Sequence, residues 1–465
     1  MMRMLSLKSW LLAGAVLLHA VSYSHADAPV CGPGAAVPVG GGRNGIEIDE
    51  AWSGVTVTFD AIARRGKIYF GYYNADRWLT VAQLDQNSGV VCRSRLPSQF
   101  AGWDGHNTVA LAFDASGHIH IAGNMHASPL VYGASSISES IAKIVLSPMV
   151  GSDEENVTYP SFITGPDHKL YFAYRSGFSG NGEWIVNARE GGAWKRVPKE
   201  PIFSSSFEGR PTNAYPSSFR FLNDYVHIAA VWRRTSDVSS NYAITYARTR
   251  DFLHWEDHNG QEVKLPMSPE TSDMVELTGE REGLVNGARV AVTASGKPVV
   301  AYAKYGPSGR NSIVLASPLR DRWHHSFVAM ADQRTLVAGS GSVPHLPTIG
   351  ELDVNKGPLG TVNFKFPGET RRQVYFDVDT LNPTEAPEAL SGNKPNRPAL
   401  VISPPGLIDG QRNAREIRDY DDPNKTVGSI IYFSQGVNGD KPRKCTLEQP
   451  TACNPYPSPL IFAPL

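Results

Sequence analysis

One pattern recurs along the chain: an alternating apolar strand, a tight turn with Gly, Asp or Asn, and a second strand rich in Ile, Val, Tyr and Phe. Five clear copies occupy residues 55–74, 106–126, 159–175, 215–233 and 286–305. The starts at 106, 159, 215 and 286 are separated by 53, 56 and 71 residues. A hairpin that repeats about every 50 residues, with room for two further strands, is typical of a β-propeller blade.

Weaker copies extend the series towards the end of the chain. TVNFKF (361–366) with QVYFDV (373–378) gives a sixth unit, and SIIYFSQ (429–435) gives a C-terminal strand. We therefore predict an all-β fold, a β-propeller of about seven four-stranded blades built as one domain from residues 27–465. RTRDFLHWED (248–257) also resembles the Asp-box turn between outer strands of sialidase-type propellers.

The charge balance excludes one large class of partner. The chain has 44 Lys+Arg against 45 Asp+Glu, a formal net charge of -1. Proteins that bind the phosphate backbone of nucleic acids carry a clear basic excess, so no nucleic-acid partner is expected.

The N-terminal residues predict a signal peptide rather than part of the fold. Arg3 and Lys8 precede an apolar stretch at 10–21, and small residues at Ser24 and Ala26 fit a peptidase site. We expect cleavage after Ala26 and a secreted or periplasmic protein. An anchor would need about 18 to 20 apolar residues, and no later segment is long and apolar enough to span a bilayer.

Four cysteines then lie in an exporting, oxidising context: Cys31, Cys92, Cys445 and Cys453. Four cysteines permit three pairings. The spacing of eight between Cys445 and Cys453 favours a local disulfide, which leaves Cys31 to pair with Cys92. The close CxxC pairs typical of a zinc site with four thiolates are missing from the sequence.

The ends of two hairpins bring chemically useful side chains together. In a propeller, the start of the first strand and the end of the second share a face. His106 and Tyr159 open first strands, His126 follows a second strand, and Arg175 ends a second strand. We therefore expect these four side chains to meet at one rim of the central channel.

Structural roles compete with functional ones at several of these positions. His118 and His120 alternate with isoleucines, which favours packing over metal binding. His126 could simply cap a turn. Tyr159 lies in a Tyr-Pro dipeptide that recurs at Tyr215, so blade architecture alone could explain it.

The four rim residues fit β-elimination at a uronate. That reaction needs a cation to neutralise the carboxylate, a base to remove the C5 proton and an acid to protonate the leaving O4. Arg175 suits the first role. A histidine with a pKa of about 6.5, or a tyrosine whose pKa of about 10 is lowered by a cation, suits the others. The scheme requires no metal.

Four motifs carry a resemblance to a known family: WDGHN (103–107), DASGHIHIAGNMHASPLVY (114–132), TYPSF (158–162) and YRSGFSGNG (174–182). They resemble the seven-bladed propeller lyases that cleave polysaccharides at glucuronate linked to rhamnose, the ulvan and rhamnose-glucuronate lyases. The likeness is strongest over 103–182.

The resemblance implies roles for the rim residues. His106 and Tyr159 would be the acid-base pair in an order that it leaves open, Arg175 would neutralise the carboxylate, and His126 would support the site. The spacings of 20 between the histidines and of 16 from Tyr159 to Arg175 fit that pattern. Some relatives carry structural calcium or zinc, but the sequence shows no ligand cluster for either ion.

The implied function is a secreted polysaccharide lyase that acts at glucuronate, or iduronate, linked to rhamnose and leaves 4,5-unsaturated uronate ends. The expected partner is an anionic uronate-containing polysaccharide, and the expected state is a monomer. Five residues are candidates for binding the substrate: Trp103, Asn107, Asn124, Tyr174 and Arg233.

Other functions stay open at this stage. A glycan-binding propeller without activity would use Trp103, Tyr174 and Trp232 as sugar platforms, and a scaffold propeller would bind proteins. A sialidase-like hydrolase would need an arginine triad, for which Arg233, Arg234 and Arg289 are candidates, but the Arg-Ile-Pro motif is missing.

Overall fold

The computed structural model describes most of the predicted domain. It covers residues 24–40, 42–320, 322–386, 403–408, 410–423 and 425–465. The predicted signal peptide, residues 1–26, therefore lies outside the described residues except for its last three. Among the described residues, no helix is long and apolar enough to cross a membrane.

Four strands precede the first repeated hairpin. They are Ser24–His25 (β1), Val30–Pro33 (β2), Ala35–Gly40 (β3) and Arg43–Ala51 (β4). Strands β1 and β2 each add an outer edge to one of the sheets described next, whereas β3 and β4 belong to the last sheet.

The first two sheets hold the first two predicted hairpins. The first sheet contains β2 with Asp60–Arg64 (β5), Lys67–Tyr73 (β6), Trp78–Asp85 (β7) and Val90–Gln99 (β8). The second contains β1 with Ala110–Phe113 (β9), Ile119–Ala122 (β10), Tyr132–Ser135 (β12) and Ile144–Leu146 (β13).

The third and fourth sheets carry additional edge strands. The third contains His126–Ser128 (β11), Val157–Thr164 (β14), Leu170–Phe178 (β15), Asn181–Glu190 (β16) and Ala193–Arg196 (β17). A small hairpin, Ser206–Phe207 (β18) and Arg210–Pro211 (β19), follows. The fourth contains Asn213–Pro216 (β20), Arg220–Leu222 (β21), Tyr225–Arg233 (β22), Asn241–Thr249 (β23), Trp255–Glu256 (β24), Glu262–Val263 (β25) and Asp273–Leu277 (β26).

The remaining sheets complete the chain. The fifth contains Arg289–Val292 (β27), Pro298–Tyr305 (β28), Asn311–Leu319 (β29) and Arg322–Met330 (β30). The sixth contains Thr348–Lys356 (β31), Leu359–Lys365 (β32), Arg372–Asp377 (β33) and Pro383–Thr384 (β34). The seventh joins both ends of the chain, with β3 and β4 beside Gln411–Arg418 (β35), Thr426–Ser434 (β36) and Ser458–Pro464 (β37).

Several neighbouring sheets meet through their first strands. Strand β5 contacts β9, β9 contacts β14, β14 contacts β21, β21 contacts β27, and β35 contacts β5. All strand pairs within the sheets are antiparallel, and the one helix among the described residues is a short 3-10 turn at Val238–Ser240. The prediction of an all-β fold is confirmed.

The core lies between the sheets, so inner strands are buried on both faces. In β6, Ile68 and Phe70 point to one side and Tyr69 and Tyr73 to the other, and all four are 0% exposed. A strand covered on both faces needs apolar residues at nearly every position. This explains the dense apolar second strands of the repeated hairpins.

The described residues contain two disulfides and the turn formed by the Asp-box-like segment. Cys31 is bonded to Cys92, which ties β2 to β8, and Cys445 is bonded to Cys453, so the predicted disulfide pairing is confirmed. The Asp-box-like segment 248–257 forms the turn between β23 and β24. The carboxylate of Asp251 accepts hydrogen bonds from two backbone N–H groups of that turn.

Candidate active site

A groove opens where the first strands begin and the second strands end. Its larger part has a volume of about 370 Å³ and is lined by His106, His126, Tyr159, Tyr215 and Arg233, together with several residues of 339–348. A second part of about 300 Å³ continues from Tyr159 and Tyr215 past Trp184. The structure thus gathers four of the predicted site residues around one groove, from several sheets.

Two imidazoles share one carboxylate at the base of this groove. The Nδ1 atom of His106 lies 2.6 Å from one oxygen of Asp104, and Nδ1 of His126 contacts the other oxygen. The two rings stack with centroids 4.6 Å apart, and each side chain is 25% exposed. Because a carboxylate accepts hydrogen bonds, the Nδ1 atom of each ring carries the proton in its contact with Asp104.

The Asp104 carboxylate is held in its charged form. Burial alone would raise its pKa, but hydrogen bonds from His106 and His126 outweigh burial, and the pKa lies well below its usual range. Ligand atoms of these three residues lie within 4.8 Å of one another, and they are the one such group among the described residues that could hold a metal ion. In the structure, Asp104 is the hydrogen-bond partner of both histidines.

The lowered pKa of Asp104 predicts a loss of stability in acid. A carboxylate whose pKa is lower in the folded state stabilises the protein above its unfolded pKa, and that contribution is lost as pH falls towards the folded pKa. Between about pH 5 and pH 3, the free energy of unfolding should therefore fall more steeply in the wild type than in Asp104→Asn. Urea unfolding at several pH values measures this difference, and parallel curves would contradict it.

Tyr159 adopts a backbone conformation that bulky residues rarely take. Its φ angle is 59°, at a bulge in β14 where the pairing with β15 shifts register between Thr158 and Ser161. Such left-handed conformations cost of order 1–3 kcal/mol and cluster at functional sites. The bulge directs the phenol ring into the groove, 5.7 Å from the ring of His106 and stacked on Trp184.

Arg175 lies behind Tyr159 rather than in the open groove. Its side chain is 2% exposed and its guanidinium is 4.9 Å from the centre of the Tyr159 ring. Nη2 donates to the Thr158 hydroxyl at 3.1 Å, whereas Nε and Nη1 are buried with no hydrogen-bond partner in the described part of the chain. A Cβ atom at Gly182 would lie 2.8 Å from the Arg175 side chain, so this position must be glycine to leave room for it.

The ionisation of Tyr159 reflects two opposing effects. Burial raises its pKa, and the positive charge of Arg175 lowers it without fully compensating, so that the pKa lies above its usual value. At neutral pH the phenol is therefore protonated and can donate its proton.

A second tyrosine and arginine face the same groove from the fourth sheet. The Arg233 guanidinium lies 4.3 Å from the centre of the Tyr215 ring. The Tyr215 hydroxyl lies 3.1 Å from Ser179 Oγ and accepts a hydrogen bond from the Gly180 N–H at 3.2 Å. Burial would raise the pKa of Tyr215, but the charge of Arg233 and these hydrogen bonds bring it below its usual value.

The other predicted substrate contacts lie elsewhere. Tyr174 is 0% exposed and packs in the core, and Asn107 is buried with its carbonyl bonded to the Tyr73 hydroxyl. Asn124 donates to Ser98 Oγ at 2.8 Å. The Trp103 ring packs edge-on against another tryptophan at 5.4 Å. Of the five candidates, only Arg233 lines the groove.

The residues named in the alternative interpretations make structural contacts. His120 is fully buried, with Nδ1 2.7 Å from the Tyr132 hydroxyl and Nε2 3.3 Å from Asp114, so it is a packed core histidine. Arg234 pairs with Glu208 at 3.1 Å, and Arg289 donates to the Gly350 carbonyl at 3.1 Å.

Sequence reasoning missed several groups in the groove. The role of Asp104 depends on a partner 22 residues away, which no local motif reveals. Ser342, whose Oγ lies 3.2 Å from Nδ1 of His106, belongs to an irregular segment 236 residues further along the chain. The recurrence of Tyr-Pro at Tyr215 was the one available signal for the second tyrosine.

Comparison with known proteins defines the family. The model of a BNR repeat-containing family matches residues 67–331, which is more than half of the chain. The chain therefore belongs to the BNR repeat-containing family. No curated protein sequence matches it.

The chain also resembles several solved structures in its fold. The chain is similar to a PL25 ulvan lyase, with a TM-score of 0.56 and 12% identity over 85% of this chain and 93% of that chain. It is also similar to the polysaccharide lyase Uly1, with a TM-score of 0.54 and 15% identity over 96% and 99% of the two chains. The PL25 ulvan lyase bound to -[GlcA(1-4)Rha3S]- gives a TM-score of 0.55 at 12% identity, again over 85% and 93%. The predicted resemblance to the ulvan lyases is confirmed at the level of the fold.

Proposed function

We propose that the protein is a polysaccharide lyase that cleaves its substrate at a uronate by β-elimination. One observation carries the proposal: His106 and Tyr159 line the same groove with their ring centres 5.7 Å apart, and Nδ1 of His106 is engaged by Asp104. Elimination requires a base at the C5 proton and an acid at the leaving O4, and both of these side chains face one groove.

His106 is the base in this proposal. Its Nδ1–H is bonded to Asp104, and the backbone N–H of His106 donates to the same carboxylate oxygen at 2.8 Å, so the ring is fixed with Nε2 on the side away from Asp104. Nε2 removes the proton from C5 of the uronate. The electron pair left at C5 forms the C4–C5 double bond as the C4–O4 bond breaks. His126 keeps Asp104 charged and stacks on the His106 ring.

Tyr159 is the acid, and it passes its proton to the leaving O4. The resulting phenolate is stabilised by the Arg175 guanidinium on its ring face. The same positive charge makes the C5 proton more acidic by stabilising the carboxylate-derived intermediate, and burial strengthens that effect because the local dielectric constant is low.

The fold and the sequence motifs support three further parts of this proposal: the propeller architecture, the class of substrate and the location of the protein. The seven sheets are the blades of a propeller, which β4 and β37 close by pairing strands from both ends of the chain. The substrate is an anionic polysaccharide with glucuronate or iduronate linked to rhamnose, as in the oligosaccharide bound to the PL25 ulvan lyase. The protein acts outside the cytoplasm, where its two disulfides persist.

An ultraviolet assay tests this function. The protein is incubated with ulvan, gum arabic and a neutral polysaccharide, and absorbance from the conjugated C4–C5 double bond is followed. We expect the signal with uronate-containing substrates only, because a neutral sugar has no carboxylate to acidify its C5 proton. New reducing ends without this absorbance would indicate a hydrolase, and binding without cleavage would indicate a lectin. Either result would overturn the proposal.

A further inference from the structure

The Tyr159 and Arg175 arrangement is repeated in the neighbouring sheet. Tyr159 is followed by a proline on β14, and Arg175 lies near the end of β15 with its guanidinium over the phenol ring. Tyr215 is also followed by a proline, on β20, and Arg233 ends β22 with its guanidinium 4.3 Å from the Tyr215 ring centre. The proposed reaction uses only the first of these two units.

The two arginines differ in their access to the groove. Arg233 and Tyr215 both line it, whereas Arg175 lies behind a tyrosine ring. The glycine-rich turn after β15 supports the second unit, because Gly180 donates its N–H to the Tyr215 hydroxyl. A Cβ atom at Gly180 would lie 2.6 Å from the backbone of the loop after β22, so this approach also requires glycine.

The charge of Arg233 is poorly compensated by the protein. Its side chain is 6% exposed, and its hydrogen bonds go to Asn241 Oδ1 at 2.8 Å, to the Ser236 carbonyl at 3.4 Å and to the Tyr215 side chain, none of which is a carboxylate. Asp237 attracts this positive charge, but its carboxylate accepts hydrogen bonds from the backbone N–H groups of Ser239 and Gly339. A buried guanidinium is stable when an anion lies beside it, and a bound oxyanion would provide one.

We propose that Arg233 and Tyr215 form a second oxyanion subsite, which binds an acidic group on the sugar next to the uronate that is cleaved. The inference rests on the proposed function for the identity of the polymer but not for the binding of the anion. The substrate would then carry acidic groups on adjacent residues, and the ligand chemistry is a carboxylate or a sulfate ester. Arg175 and Arg233 would each compensate one of these charges.

Anion binding without turnover provides the first test. Thermal unfolding is measured with sodium sulfate, and with sodium chloride at equal ionic strength, for the wild type, Arg233→Gln and Arg210→Gln. Arg210 is the matched control because it is 57% exposed and already paired with Glu280. Sulfate also stabilises proteins in general because it is excluded from their surface, so the unfolding midpoint should rise more in the wild type and the control than in Arg233→Gln. Equal sulfate effects in all three proteins would overturn the subsite.

Kinetics identify the acidic group. Three oligosaccharide substrates are compared, in which the residue beside the cleaved uronate carries a sulfate ester, a carboxylate or no acidic group. Arg233→Gln should raise KM about 10- to 100-fold more for the preferred acidic substrate than for the uncharged one, because charge-assisted hydrogen bonds are strong. The larger effect identifies the group as sulfate or carboxylate. An equal loss on all three would overturn the subsite and assign Arg233 to the cleaved uronate itself.

Arg233→Lys is a control for misfolding. It keeps the positive charge but lacks the planar guanidinium that can donate two hydrogen bonds to one anion. It should bind sulfate with an affinity between those of the wild type and Arg233→Gln. If the wild type cleaves none of the substrates, the proposed lyase function fails, and the sulfate measurement still decides the subsite.

Discussion

Replacing His106 with glutamine is expected to lower kcat by about 100- to 10,000-fold, because a positioned general base contributes that much to proton transfer. Glutamine has no nitrogen that can accept the C5 proton near neutral pH, although it can keep a hydrogen bond to Asp104. KM should change little if the side chain acts in proton removal rather than in binding. Formation of the unsaturated uronate, followed by its absorbance, measures the effect.

His254→Gln is the matched control for this prediction. His254 also pairs with a carboxylate, with Nδ1 2.7 Å from Asp251, but it is 81% exposed and lies in the turn between β23 and β24. This variant should cleave at the wild-type rate. A His106→Gln protein that unfolds at the wild-type temperature and retains most of its turnover would remove His106 from the mechanism.

Replacing Tyr159 with phenylalanine should lower kcat by a similar factor of about 100 to 10,000, because the ring stays and only the proton donor is lost. The stacking on Trp184 and the contact with Arg175 do not involve the hydroxyl, so the unfolding temperature should stay close to that of the wild type. Substrates with an activated leaving group at C4 need little protonation. The variant should therefore cleave them with a much smaller loss than it shows on the natural linkage.

Tyr225→Phe tests whether removing the hydroxyl of any tyrosine that packs against an arginine lowers kcat. The guanidinium of Arg248 lies 4.4 Å from the Tyr225 ring, but this tyrosine begins β22, whereas the groove lies where that strand ends. It should retain full activity. If Tyr159→Phe also loses no activity, while Tyr215→Phe does, the acid role belongs to the second tyrosine.

The fold was largely readable from the sequence because strands that are buried on both faces leave a dense apolar pattern. Residues 55–74 become β5 and β6, and residues 286–305 become β27 and β28. The outer strands and the additional edge strands could not be predicted from the sequence. Strand β26, for example, runs along β23 as an additional edge, and its partly exposed residues carry no such pattern.

The site was readable only in part, for a geometric reason. Hairpins can be located from sequence, which is why His106 and Tyr159 were placed together, although the predicted strand start was wrong for His106, which lies in the turn before β9. Which face a side chain takes is harder to predict: Tyr174 and Arg175 are adjacent on β15 and therefore point to opposite faces, so the predicted sugar contact of Tyr174 became a core contact. The bond between Asp104 and His126 depends on the packing of two loops, which spacing does not encode.

The seventh sheet sets an order of events during biosynthesis. Strand β37 follows every other described strand in the chain, yet it pairs with both β36 and the early strand β4. During synthesis, Asp49 and Glu50 therefore have no strand partners until residues some 400 positions later in the chain have been made. The pairing of β4 with β37 cannot form until β37 has been synthesised, so the seventh sheet is completed late.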